Sequence, residues 1–233
     1  MNAPPRIGSP IRAVVFDFGG VLITPITNQV GTLATRHGRP LESMLALLLG
    51  PRETCDHPWH RAERGELAVA DIQPLLAPWA AEVGVALTGD EMDVLLAAGA
   101  YTVVQPMLDR LRRLRGEGIR TALLTNTFAE FRSTLETVID LSLFDAVIES
   151  YAVGARKPEP AIYEATAAAL GVDHRQIAYL DDFDQNLAPA ADLGWTVIHV
   201  TDPALALVEL DGALRAAPEP AAAPGSEAAL DGK

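Results

Sequence analysis

The chain has 233 residues and a formal net charge of −13. Such an acidic protein repels nucleic acid and anionic membrane surfaces, so we expect neither as a partner. No apolar run reaches the ~20 residues that cross a bilayer, and residues 1–10 lack the apolar core of a secretory signal. Cys55 is the only cysteine, which excludes an intrachain disulfide and fits a reducing compartment. We therefore expect a cytoplasmic protein.

The first predicted element is a short apolar strand, Ile11–Phe16, which ends in a carboxylate, Asp17. Gly19 and Gly20 follow it. An aspartate at the carboxyl end of a first strand lies where open α/β sheets bind ligands, and glycines let the backbone turn and approach a bound group closely. Asp17 is therefore our candidate nucleophile.

The next part of the chain, residues 23–100, contains amphipathic segments and no strand-like run, which predicts an inserted α-helical cap domain. The predicted helices are Thr27–His37, Leu41–Leu49, Trp59–Arg64, Ala68–Val83 and Asp90–Ala100. Pro74 and Pro78 lie inside the fourth of these segments, so we expect it to be kinked or split.

From residue 101 the pattern alternates regularly between strands and helices. The predicted strands are Ile119–Leu124, Phe144–Glu149, Gln176–Leu180 and Trp195–Val200. The predicted helices are Pro106–Arg115, Phe128–Ile139, Pro158–Leu170, Gln185–Leu193 and Pro203–Leu214. Single helices between strands indicate βαβ units, so the fold class is α/β, a Rossmann-like parallel sheet formed by residues 11–22 and 101–214. We expect a flexible N-terminus over residues 1–10 and a disordered tail over residues 215–233.

Three of the predicted strands lead directly into polar groups: Asp17, the pair Thr125-Asn126, and the pair Asp181-Asp182. Lys157 adds a cation in a loop before a helix. In a parallel sheet these groups meet at one edge. An aspartate can attack phosphorus, paired carboxylates can hold Mg²⁺, and a hydroxyl and an ammonium can bind phosphoryl oxygens.

Four segments in order resemble the motifs of the haloacid dehalogenase superfamily, over about residues 11–205. They are Phe16-Asp17 with Gly20-Val21-Leu22, Leu123-Leu124-Thr125-Asn126, Gly154 to Pro160 around Lys157, and Asp181-Asp182 with Asn186. Within the insert, Trp59 to Leu67 further resembles the helical caps of the branch that includes sugar-1-phosphate phosphatases and the phosphatase domains fused to epoxide hydrolases.

The resemblance implies a role for each of these residues. Asp17 would be the nucleophile, and Mg²⁺ would be held by Asp17, Asp182 and the backbone carbonyl of Gly19. Thr125 and Asn126, with Lys157 and Gly20, would contact the transferring phosphoryl group. Lys157 would also orient Asp17, while Asp181 and Asn186 would support the site from behind. Positioning and charge neutralisation would supply most of the catalysis.

Gly19 departs from the pattern, because phosphatases of this family usually carry there a second aspartate that protonates the leaving oxygen and then activates water. General acid–base assistance is typically worth ~10²–10⁴-fold. A leaving group of low pKa, such as an anomeric or acyl oxygen, needs less of it. Alternatively, a residue of the cap replaces the aspartate. His57 and His60 are the first candidates, with Glu63 and Asp184 behind them.

The resemblance thus implies a Mg²⁺-dependent phosphatase of a small phosphorylated metabolite, with a sugar phosphate among the candidates. Two alternatives stay open: a catalytically degenerate binding or regulatory protein, supported by Gly19, and a metal-independent 2-haloacid dehalogenase, disfavoured by Asp181-Asp182. We expect a monomer or a homodimer.

Overall fold

The protein is described by a computed structural model over residues 11–51 and 56–216. Its centre is a five-stranded parallel sheet with the strand order β3-β2-β1-β4-β5. The strands are β1 (Ala13–Phe16), β2 (Arg120–Thr125), β3 (Ala146–Glu149), β4 (Ile177–Asp181) and β5 (Thr196–His199). The predicted Rossmann-like α/β class is confirmed.

Among the described residues, five α-helices lie within residues 23–100, after β1 in the chain, and we call them the insert helices. They are α1 (Thr27–Arg36), α2 (Leu41–Leu49), α3 (Pro58–Glu63), α4 (Ile72–Glu82) and α5 (Gly89–Leu96). They bury an apolar cluster of their own, which includes Leu33, Leu48 and Leu76. The separate cluster is what an inserted, independently packed layer of helices requires.

The remaining helices cover the two faces of the sheet. They are α6 (Gln105–Gly116), α7 (Arg132–Val138), α8 (Ser150–Val153), α9 (Pro160–Leu170), α10 (Asp184–Asp192) and α11 (Pro203–Arg215). Val14 and Phe16 pack with α6 and α11 on one face, whereas Val15 packs with α9 and α10 on the other. Both faces of β1 are covered, which explains its uninterrupted apolar sequence.

The register of the sheet aligns the ends of its three central strands. Phe16 lies beside Leu123 of β2 and beside Leu180 of β4. The following residue, Asp17, therefore emerges next to Asp181, and its backbone N–H donates to the Leu180 carbonyl at 2.9 Å. From β1 the chain adds β2 and β3 on one side and then crosses over to add β4 and β5 on the other, so this edge is also the topological switch point at which α/β sheets bind ligands.

Most of the predicted elements lie where the sequence placed them, and α2 matches its predicted bounds. The segment Ala68–Val83 begins with a 3₁₀ turn over Val69–Asp71 and continues as α4, which contains both Pro74 and Pro78, so the helix is not split at either proline. Every helix in the described residues is too short or too polar to traverse a bilayer.

Several boundaries differ from the prediction. Helix α9 begins at Pro160 and not at Pro158, because Pro160 takes the first helical position. The segment Phe128–Ile139 is shortened to α7 behind a 3₁₀ turn. Helix α11 includes Arg215, the first residue of the predicted tail. The predictions for residues 1–10, 217–233 and Cys55 fall outside the described residues.

Candidate active site

Lys157 is the centre of charge at the carboxyl edge of the sheet. Its ammonium Nζ lies 2.8 Å from Asp17 Oδ1 and 2.7 Å from Asp181 Oδ2, and it also donates to the Leu124 carbonyl at 3.2 Å. Lys157 is only 1% exposed. Burial lowers the pKa of Lys157, but the two carboxylates outweigh burial and hold that pKa well above its usual range. The lysine is therefore a fixed cation that orients Asp17.

Asp181 is fully buried and surrounded by hydrogen-bond donors. Oδ1 accepts from the Phe183 backbone N–H at 2.8 Å and from Asn186 Nδ2 at 3.0 Å. Oδ2 accepts from Lys157 and from the Tyr179 hydroxyl. A carboxylate with this many donors has little capacity left for a metal ion. Asp181 and Asn186 thus lie where the resemblance puts supporting residues, behind the lysine.

The Asn126 side chain holds the loop that carries Lys157. Its Oδ1 accepts from the Lys157 backbone N–H at 2.8 Å, and its Nδ2 donates to the Lys157 carbonyl at 3.0 Å. Both ends of the amide are therefore occupied by one residue, so this side chain positions Lys157 instead of reaching toward a phosphoryl group. Thr125 is buried beside it and lines the cavity, where its hydroxyl makes only a long 3.4 Å contact with the Asn126 carbonyl.

Asp182 differs from Asp181 in having an unsatisfied oxygen. Its Oδ1 is buried with no hydrogen-bond partner among the described residues. Gly20 lies against it with φ at +75°, and a Cβ built on Gly20 would come within 2.1 Å of Asp182 Oδ2. Only glycine therefore allows the loop after β1 to pack against this carboxylate. A buried, unpaired carboxylate oxygen is costly unless a cation joins it.

The three aspartates of this edge fit a divalent cation. One carboxylate oxygen each of Asp17, Asp181 and Asp182 lies within 4.8 Å of the others. Burial raises the pKa of Asp17 to about 7, against the opposing effect of Lys157, and burial together with the neighbouring carboxylates raises that of Asp182 to about 8. Hard carboxylate oxygens are the ligands that Mg²⁺ prefers, and Asp181 is already saturated. Asp17 and Asp182 are thus the two side chains suited to hold the ion.

Gly19 lies at the same edge and lines the cavity. A Cβ at this position would meet no described atom within 4 Å, and its backbone is outside the left-handed region. The space for a side chain is therefore present, although the sequence places none there.

The two histidines of the insert are both buried but differ in position. His57 caps α3 through its Nδ1, which accepts from the Trp59 backbone N–H at 3.2 Å, and it does not line the cavity. His60 does line the cavity. Burial and the nearby charge of Arg156 lower the pKa of His60 to about 3, so the ring is neutral at pH 7 and has no imidazolium proton to give. A role for His57 or His60 in place of the missing aspartate stays a prediction, and this protonation state weakens it.

A cavity of about 370 Å³ joins the aspartates to the insert helices. Asp17, Thr125 and Lys157 lie at its sheet end, and α2 forms much of its opposite wall. The size is within the usual range for small-molecule sites. A ligand held at Asp17 would therefore be enclosed by the insert.

Two features of the site were missed by the sequence reasoning. Tyr179 donates to Asp181 from within β4, and the i, i+2 spacing of a strand could have indicated that the two side chains share a face. Glu63 of α3 receives hydrogen bonds from Trp59 Nε1 at 2.9 Å and from Arg156 Nε at 2.5 Å. This buried bridge ties the insert to the residue before Lys157, and its partners are too far apart in sequence for any local pattern to reveal it.

Comparison with known proteins agrees with this geometry. The sequence model of the haloacid dehalogenase-like hydrolases matches residues 11–194, so the chain belongs to that family. Phosphatases are among the relatives of this chain. The chain is 31% identical to a phosphatase of Mycobacterium tuberculosis over 74% of this chain and 79% of that protein. It is 28% identical to a sesquiterpene phosphatase of Aspergillus oryzae over 85% and 94%, respectively.

Longer mammalian proteins also contain a related segment. The mouse acyl-CoA dehydrogenase family member 10 is 30% identical over 89% of this chain. The chain spans only 19% of the length of that protein. Mouse bifunctional epoxide hydrolase 2 is 29% identical over 86% of this chain, which spans 38% of its length.

Solved structures share the fold. A Bacteroides thetaiotaomicron enzyme of the family, in complex with magnesium and inorganic phosphate, matches with a TM-score of 0.58 and 21% identity over 81% of this chain and 93% of that one. The L-2-haloacid dehalogenase of Xanthobacter autotrophicus matches with a TM-score of 0.60 and 22% identity over 88% and 84%. The fold alone therefore does not separate phosphate-ester from carbon–halogen hydrolysis.

Proposed function

We propose that this chain is a Mg²⁺-dependent phosphatase of a small phosphorylated metabolite, acting through an aspartyl phosphate on Asp17. The observation that carries the proposal is the pairing of Asp17 with Lys157 beside Asp182, whose buried oxygen lacks a partner among the described residues. The phosphatases among the relatives, and the family enzyme that was crystallised with magnesium and phosphate, support it.

In this proposal Asp17 attacks the phosphorus atom in line with the ester oxygen. The bond from phosphorus to that oxygen breaks, the released alcohol takes a proton, and water then hydrolyses the acyl phosphate to regenerate the carboxylate. Lys157 keeps Asp17 oriented, while Asp181 and Asn126 keep Lys157 in place. Asp17, Asp182 and the Gly19 carbonyl would hold Mg²⁺, which would offset the negative charge of the phosphoryl group.

The metal fit favours the phosphatase over the dehalogenase alternative. A metal-independent reaction has no use for a second carboxylate with an uncompensated oxygen, and burying one without a cation is destabilising. Oδ1 of Asp182 is in that state, while the other oxygen, Oδ2, lies against Gly20. The alternative of a catalytically degenerate binding protein rests on Gly19. Such a protein would bind the same phosphorylated ligands as the phosphatase but would not hydrolyse them.

The test is release of inorganic phosphate from a panel of phosphate monoesters, with Mg²⁺ and with EDTA. We expect Mg²⁺-dependent release that is lost in Asp17→Asn. The matched control is Asp192→Asn, the same substitution at an exposed position on α10. Halide release without metal would select the dehalogenase. Phosphate binding without release from any ester would select the degenerate binding protein.

A further inference from the structure

The wall of the cavity opposite the aspartates is apolar. It is formed from three insert helices and from the loop after β2, and the side chains on it include Leu45, Ala46, Leu49, Leu96, Phe128 and Phe131. Leu45 and Leu49 are one helical turn apart on α2 and therefore share a face. Phe128 packs edge-on against Trp59 with ring centres 4.9 Å apart. The organic part of a ligand held at Asp17 must lie against this wall.

Two polar side chains on the same wall, those of Glu63 and Tyr101, are already engaged with the protein. Both carboxylate oxygens of Glu63 accept hydrogen bonds, one from Arg156 and one from Trp59. The Tyr101 hydroxyl donates to the Leu95 carbonyl at 2.5 Å. A sugar would need a partner for each of its buried hydroxyls, because an unpaired polar group opposes binding.

The charges near the wall also oppose a second anionic group on the ligand. The guanidinium of Arg156 is neutralised by Glu63, with which it forms a buried ion pair at 2.5 Å. Glu42, at the exposed end of α2, adds a further negative charge beside the cavity. A carboxylate or second phosphate on the ligand would therefore find repulsion, and among the described residues on this side the one cation, Arg156, is already paired with Glu63.

From this wall we infer that the substrate is the phosphate monoester of an uncharged, apolar alcohol of the alkyl or isoprenoid kind, and not a sugar phosphate. The inference rests on the proposed function and names its substrate class. The phosphoryl group would be held at Asp17, Thr125 and Lys157, and the hydrocarbon would lie along Leu45 and Leu49.

The size of the cavity sets the expected chain length. Its volume of about 370 Å³ equals roughly twelve water molecules of liquid. Once the phosphoryl group is placed, room remains for about eight carbon atoms. Each methylene moved from water to an apolar wall changes an equilibrium by about fourfold. We therefore expect kcat/KM to rise about fourfold per carbon along n-alkyl phosphates and to level off near about eight carbons.

The experiment compares ethyl, butyl, hexyl, octyl and decyl phosphate with glucose 1-phosphate, glucose 6-phosphate and p-nitrophenyl phosphate, using the full chain with Mg²⁺. A rise with chain length, with both sugar phosphates slower than hexyl phosphate, supports the inference. Hydrolysis of p-nitrophenyl phosphate with no dependence on chain length, or with a preference for sugar phosphates, overturns it and leaves the proposed phosphatase intact.

Two variants test whether the dependence of kcat/KM on chain length arises in the cavity. Ala46→Phe adds bulk to the apolar wall, whereas Ser43→Phe adds the same bulk to an exposed position of α2 that does not line the cavity. We expect Ala46→Phe to lower the octyl-to-ethyl ratio of kcat/KM at least tenfold and Ser43→Phe to leave that ratio unchanged. An equal ratio in both variants counts against the assigned wall.

A separate binding measurement distinguishes failure of the proposed phosphatase function from failure of the proposed substrate class. If no ester releases phosphate, the same alkyl phosphates are titrated calorimetrically into the Mg²⁺-loaded protein. Affinity that grows with chain length still supports the apolar substrate class, and affinity that is independent of length overturns it.

Discussion

Replacing Gly19 by aspartate tests how this chain manages proton transfer. The family resemblance places a general acid and base at this position, and glycine supplies neither. The structure has room for the side chain, since a Cβ on Gly19 would meet no described atom within 4 Å and the backbone is not left-handed. The new carboxyl group would enter the cavity beside Asp17 and Asp182, where burial already raises carboxyl pKa values to about 7 and about 8. A carboxyl with a similarly raised pKa holds a proton that it can donate near neutral pH.

The expected gain depends on the leaving group. An alkoxide leaves poorly without a proton, so Gly19→Asp should raise kcat for butyl or hexyl phosphate by ~10²-fold, the lower end of the range for general acid catalysis. The lower end is appropriate because the added carboxyl also brings charge repulsion to a site that already contains three aspartates. Nitrophenolate leaves without protonation, so p-nitrophenyl phosphate should change less than about threefold.

The assay is steady-state phosphate release from both esters by wild type, Gly19→Asp and Gly19→Asn. Asparagine has the shape of aspartate but cannot transfer a proton at neutral pH, so it controls for packing and access. The leaving-group reasoning fails if both esters gain equally from Gly19→Asp. It fails equally if Gly19→Asn gives the same gain.

Three further predictions concern the metal edge and the bridge to the insert. Gly20→Ala should lower the free energy of urea unfolding by about 2 kcal/mol, because the Cβ of the new alanine would collide with Asp182. The same variant should bind Mg²⁺ more weakly in calorimetry. A milder effect than that of Gly19→Ala would contradict this prediction. Without metal, the free energy of unfolding should fall by roughly 2 kcal/mol from pH 6.5 to 8.5, because Asp17 and Asp182 in the folded protein keep protons that they have lost in the unfolded chain. Mg²⁺ should therefore stabilise the protein more at pH 8.5 than at pH 6.5. Constant stability in EDTA over this window would be the contrary result. Glu63→Gln should lower the free energy of urea unfolding by about 3 kcal/mol, because it removes the buried carboxylate that balances the charge of Arg156. Adding Arg156→Met should recover part of that loss, and additive losses would contradict this.

The edge of the sheet could be predicted because its residues are placed by local patterns. Asp17 and Asp181 each end an apolar strand, and the register of the parallel pair β1–β4 brings these two ends together. The spacing of motifs along the chain therefore contained most of the geometry of the carboxylate cluster. The conformation of the loop that carries Lys157 is not set by such a pattern, so the Asn126 clamp on its backbone appears only in three dimensions.

The insert was less predictable, for a physical reason. Amphipathic spacing indicates which face of a helix is buried, but not which neighbour covers it. The bridge between Glu63 and Arg156 and the orientation of α2 over the cavity are both set by how the insert helices pack on the sheet. The expectation of a sugar phosphate came from resemblance within this region, and the apolar wall of α2 now supports a different proposal.

Charge balance connects the buried edge with the apolar wall. With every group ionised, Asp17, Asp181 and Asp182 carry three negative charges and Lys157 one positive charge, so a divalent cation would make the cluster neutral. A phosphoryl group then enters a site with no net repulsion. The apolar insert excludes water from that site, and electrostatic interactions are stronger where water is excluded. The wall that would select an apolar alcohol would therefore also strengthen the interaction of the ion and Lys157 with the phosphoryl group, so substrates that fill the cavity should gain in kcat as well as in KM.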